Sequence, residues 1–168
     1  MTATGLNLVL LGEMSWSVDG ASVDFAKSWT YKGMMYSDVP NLITTFGYVN
    51  ASWTLRADLT AEYACRLLNH MDARGARQVT PRLRDADRDM PPRPWIDDFS
   101  SGYMQRMMHR FPKQGDREPW LNPQSYARDK KMIRTAPLED GALVFASNPV
   151  ALGVRSPVAE STQASPTR

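Results

Sequence analysis

Thr44-Thr45-Phe46-Gly47-Tyr48-Val49-Asn50-Ala51-Ser52-Trp53-Thr54-Leu55-Arg56-Ala57-Asp58-Leu59 runs from a short β-type stretch through a polar turn into an amphipathic helix. Leu55, Leu59, Tyr63, Leu67, Leu68 and Met71 carry the apolar stripe on at helical spacing, which predicts a helix over 53–73. Asp58 and Glu62 lie in its early turns, His70 and Arg74 near its end, and Gly75 follows as a natural C′ residue. A helix that opens behind such a turn presents unpaired backbone N–H groups and a partial positive charge to whatever lies in front of it. On physical grounds alone the junction reads as an ordinary strand-to-helix connection capped by Asn50, Ser52 or Thr54.

Working outward, Leu42 to Phe46 is β-branched and aromatic between Pro40-Asn41 and Gly47, and reads as a buried strand. Leu6 to Leu11, closed by Gly12, reads as another. Asp19-Gly20 between Ser15–Val18 and Ala21–Phe25 predicts a two-residue hairpin. From Arg77 to Pro94 arginines, aspartates and prolines crowd out apolar residues, the composition of an exposed excursion. Weaker helices are expected at about 101–110 and 123–134, and a last strand at 142–146. Residues 154–168 are rich in Ser, Thr, Pro and Ala without periodicity and read as a disordered tail.

An apolar content of 42% and a charged content of 23% are those of a soluble globular protein, and a net charge of +2 is too small to imply an electrostatic partner. One cysteine, Cys65, rules out an internal disulfide and is expected as a buried thiol on the helix. The run Leu6–Leu11 is too short to span a bilayer and lacks a signal peptide's basic flank, so a cytoplasmic protein with no membrane span is expected. His70 and His109 offer no metal-ligand spacing, and no nucleophile-elbow motif occurs. Asp85, Asp87 and Asp89 interrupt the arginines at 82, 84, 88 and 93, which reads as a solvated surface and not a nucleic-acid site.

Taken together, Thr4-Gly5, Tyr31-Lys32-Gly33-Met34-Met35, Val39-Pro40-Asn41 and the Asn50–Leu55 junction resemble the flavin-containing and Baeyer-Villiger monooxygenases, most closely the bacterial ethionamide-activating type. Phe111-Pro112-Lys113-Gln114-Gly115 and Pro119-Trp120 also resemble a signature of that type. Such enzymes are roughly three times this length, as two dinucleotide-binding domains require, and the resemblance is to their C-terminal third. It implies an α/β fold: the end of a Rossmann-like FAD domain over 1–76, with hairpin and long helix, and a C-terminal extension of peripheral helices over 77–153.

The resemblance further implies an FAD- and NADPH-dependent enzyme that inserts oxygen into ketones or oxidises sulfur-containing small molecules through a peroxyflavin. Thr4, Gly5, Asn50, Ala51, Ser52, Trp53, Thr54 and Leu55 are the implied cofactor-binding residues. Lys32, Met34 and Met35 are the implied substrate-pocket residues; without the resemblance they read as core. No catalytic residue is implied within the chain, and no Gly-x-Gly-x-x-Gly phosphate cradle occurs in it. An upstream FAD- and NADPH-binding portion is thus the expected partner. The alternative is a truncated, non-catalytic remnant or interaction module without cofactor. Trp120 either caps an active-site entrance or fills space between helices.

Overall fold

The computed structural model describes residues 9–97 and 101–147. Thr4 and Gly5, the start of the expected first strand and the expected disordered tail lie outside the described residues.

Asp19 and Gly20 take φ of 51° and 81°, the twist that closes a two-residue hairpin. They join β1 (Ser17–Val18) to β2 (Ala21–Ser22), with Ser17 opposite Ser22. A second hairpin pairs β3 (Thr30–Tyr31) with β4 (Met35–Tyr36). The helix read from the stripe forms as α1 (Trp53–Arg74), with the Ser52 hydroxyl accepting from the Thr54 N–H at 3.3 Å and Gly75 closing it at φ 63°. After α1 come β5 (Gln78–Pro81), α2 (Gly102–Met107), α3 (Tyr126–Thr135) and β6 (Leu143–Ala146), and β5 pairs antiparallel with β6. Among the described residues, helices are thus mixed with three separate two-stranded sheets.

Four expectations need correction. Leu42–Phe46 forms no strand: its chain bonds singly, Asn41 N–H to Val79 O at 2.9 Å and Thr44 N–H to Met34 O at 2.8 Å, so its β-branched residues find single partners and no ladder. Leu10–Glu13 forms a turn and no strand, because Leu11 and Gly12 take left-handed φ of 48° and 65°, which breaks the extended backbone. Cys65 is exposed, as is Leu68 at 59%, because the buried face of α1 follows Leu59, Tyr63, Leu67 and Met71, and Leu68 lies off its flank while Cys65 lies on the opposite side of the helix.

The Arg77–Pro94 stretch, finally, is not a solvated excursion. Val79, Thr80, Asp87 and Met90 are buried, and Gly115 packs so closely on Met90 that an added Cβ would lie 2.0 Å from its sulfur. Composition misled here because the charges pair: Arg84 grips Asp87 (Nε–Oδ2 2.6 Å), whose Oδ2 also accepts from Trp120 Nε1 at 2.9 Å. Trp120, wholly buried and edge-on to Tyr31 at 5.7 Å, fills the interior and caps no entrance.

The main core joins Tyr31, Met34 and Met35 to the buried face of α1, to Val79 and Leu143 of the β5–β6 pair and to Met132 and Ile133 of α3. A second cluster, Trp95, Ile96, Met104 and Phe111, receives Phe46 and Val49. It therefore underpins the turn that leads into α1.

Candidate functional site

The start of α1 is held from behind and open in front. Phe46 packs on Trp95 and Trp53 with ring centroids 4.5 and 5.0 Å apart. Gly47 lies against the Trp53 indole, where a Cβ would come within 2.0 Å of the ring. The Val49 N–H donates to Gln124 Oε1 at 3.1 Å. Asn50, Ala51, Ser52, Trp53 and Thr54 are all exposed, and Leu55 is half-buried. Six of the candidate cofactor residues are thus contiguous at one accessible helix start, whose dipole favours electron-rich groups by about 0.3–1 kcal/mol.

One turn into the helix, Arg56 is 1% exposed and faces Asp129 of α3, itself fully buried, with Nη1 and Oδ2 2.9 Å apart. The two atoms are close but off-line for a hydrogen bond. Nη2 of Arg56 donates instead to the Lys32 carbonyl, and its guanidinium stands 6.0 Å from the Tyr48 ring centroid. Tyr48 Oη and Thr60 Oγ1 are buried and find no hydrogen-bond partner among the described residues. Burial pushes the Asp129 carboxyl up, against the pull of Arg56, and burial together with the Asp129 charge pushes the Tyr48 phenol up to about 12.

Lys32, Met34 and Met35 lie in the hairpin that packs under α1, and all three are buried. Lys32 Nζ stands 3.6 Å from Asp140 Oδ2, the same oxygen that accepts from Tyr31 Oη at 2.8 Å. Burial lowers the Lys32 pKa and Asp140 opposes the shift. The Tyr31 phenol is pushed up by burial and by neighbouring Tyr63 and Asp140, so it keeps its proton. Of the three candidate pocket residues only Met35 reaches a described cleft, a groove of about 460 Å³ that it lines with Ile43, Ala64, Leu68, Met71 and Val79. The largest described cleft, about 690 Å³ between Val9–Met14, Val23–Ala26 and His109–Arg110, is lined by none of the candidate residues.

Sequence reasoning singled out neither Arg56, Asp129 nor Asp140. Arg56 carried a usable signal: with Leu59, Tyr63 and Leu67 it falls at helical spacing on the buried face, where a charge demands a partner. Asp140 precedes Gly141 just before the last strand, a pair whose local signal is that of a turn. Among the described residues no group of three or more His, Cys, Asp or Glu is placed to hold a metal ion, and no helix is long and apolar enough to cross a membrane.

Over 154 residues, 92% of its length, the chain is 46% identical to the FAD-containing monooxygenase EthA of Mycobacterium tuberculosis. The chain is thus similar to a portion of FAD-containing monooxygenases. To EthA of Mycolicibacterium smegmatis the chain is 44% identical over 93% of its length, and to the protein named probable FAD-binding monooxygenase AlmA of Acinetobacter baylyi 40% over 86%. It spans only 29–31% of the length of these relatives. No protein-family model and no solved structure matches it.

Proposed function

We propose that this chain is the C-terminal portion of an FAD- and NADPH-dependent monooxygenase that inserts oxygen into ketones or oxidises sulfur-containing small molecules, with Asn50–Leu55 facing the flavin. The observation that carries the reading is the accessible, capped start of the 22-residue helix α1 in a relative of FAD-containing monooxygenases. The residues present fit a flavin edge: five consecutive exposed positions at a helix start, and a glycine at 47 that lets the chain lie flat on Trp53. Bound FAD would supply the redox chemistry. The backbone N–H groups near Ala51–Leu55 would orient the electron-rich edge of the ring and offset charge that develops there. Trp53 would keep water from that edge. Met35 would line the adaptable wall on the substrate side, with Lys32 and Met34 supporting it from the core. Thr4 and Gly5 belong to the same reading, as further cofactor-binding residues.

Thr54→Pro tests this in the flavin-loaded enzyme that contains the chain. It removes the backbone donor that Ser52 caps and shifts the opening turn. Flavin occupancy falls or the midpoint potential moves, whereas Asp85→Lys and Arg88→Glu, at side chains 95% and 75% exposed, change neither. Equal occupancy and potential in all folded variants refute a flavin at this helix start.

A further inference from the structure

The buried pair behind the helix start has no role in the reading so far. Charged side chains are rarely buried completely, and a buried ion pair often contributes less stability than a well-packed apolar pair. Arg56 and Asp129 are 1% and 0% exposed, and their contact at 2.9 Å leaves Arg56 Nη1 and both Asp129 oxygens without a hydrogen bond among the described residues. The pair thus spends burial without being optimised for it. What it does is geometric and electrostatic. Arg56 ties the first turn of α1 to the Lys32 carbonyl in the 30–36 hairpin and to α3 at once. Gly33 leaves room for this, since a Cβ there would lie 2.7 Å from Arg56 Nη2. A full cation stands one turn behind the exposed helix start.

We propose that Arg56 and Asp129 are positioning residues that set the charge presented at the start of α1: Asp129 cancels the Arg56 cation, so that the site in front offers the helix dipole without an added full charge. The inference rests on the flavin-facing reading of Asn50–Leu55. In low dielectric surroundings an uncompensated charge acts over longer distances than it does in water. Removing the carboxylate alone therefore strengthens the positive potential at the helix start, and removing both charges restores it.

The test is the midpoint potential of the flavin-loaded enzyme, measured in folded variants with matched thermal transitions. Asp129→Asn shifts it upward, because the reduced, more electron-rich ring gains several-fold in affinity over the oxidised one. Arg56→Gln/Asp129→Asn brings it back to the wild-type value. A role in packing alone moves melting temperatures but does not give this rise and return. Should Asp129→Asn fail to fold, Arg56→Gln and Arg56→Gln/Asp129→Asn carry the same contrast without an unpaired cation, with the first lying below the second. Equal potentials within these sets, with Thr54→Pro still shifting its own, overturn the inference and leave the flavin site standing. If Thr54→Pro shifts nothing either, the site assignment falls and takes the inference with it.

Discussion

At Gly33 the backbone turns with φ 67°, and a Cβ would stand 2.7 Å from both Arg56 Nη2 and Asn122 Oδ1. Gly33→Ala therefore strains the turn and displaces the guanidinium, a loss of about 1–3 kcal/mol in denaturant unfolding. Asp140 is the other residue on which much converges. One oxygen faces Lys32 and Tyr31, and the other accepts from the Ala142 and Leu143 N–H groups at 2.9 and 3.3 Å. Asp140→Ala strands the Lys32 ammonium, 2% exposed, and costs about 3–5 kcal/mol, whereas Asp140→Asn, which keeps an acceptor, costs less. The same unfolding experiment ranks the two, and equal losses would mean that the lost charge, not the lost acceptor, carries the cost.

Among the elements, the 82–90 segment carries a testable pH signature. Burial would raise the Asp87 carboxyl, but hydrogen bonds from Arg84 and Trp120 outweigh it and hold the group below its ordinary value. The folded chain then takes up that proton later than the unfolded chain does. The pair's contribution is present above the unfolded value of roughly 3.9 and is lost as pH falls through the lower folded value. Asp87→Asn flattens this part of the stability curve, as urea midpoints between roughly pH 5 and 3 would report. The sequence could not show this segment as structural, because its order comes from partners far along the chain: Trp120 for Asp87 and Leu143–Ala146 for β5. Helix α1, by contrast, was legible to within a residue at each end, since cap, stripe and C′ glycine are all local signals. The 42–46 stretch carried the local signals of a strand, but a ladder needs a neighbouring strand, and the described chain offers only single bonds there. At the candidate site the helix start was readable in the same local way. The Arg56–Asp129 pair was only half visible, as a charge on a buried helical face whose partner lies on another element.

For the molecule as a whole, the groove beside Leu68 matters most. Ala57, Ala61 and Cys65 are exposed along α1 toward the 59% exposed Leu68, and the groove floor is Met35, Ile43, Leu67 and Val79. Residues 1–168 purified alone therefore self-associate, and Leu68→Lys lowers the apparent mass in sedimentation with little change in stability, since the side chain is already in water. The same preparation carries no flavin, because no Gly-x-Gly-x-x-Gly loop is present to anchor a dinucleotide. Stoichiometric yellow cofactor surviving gel filtration would contradict that. The distance along the chain between Tyr31 and Asp140 sets a clock on biosynthesis. The two are 109 residues apart, and at the usual ~5–20 residues per second roughly 5–20 s pass between the synthesis of Tyr31 and Lys32 and that of the carboxylate they share. Through that interval the nascent hairpin holds a lysine without its carboxylate and a tyrosine with only Tyr63 to bond, so its first hydrophobic contacts form without their final polar partner. Completion of the core then waits on one of the last described turns to leave the ribosome, and a stop codon shortly before residue 140 would release a chain that chaperones and proteases meet with its centre still open.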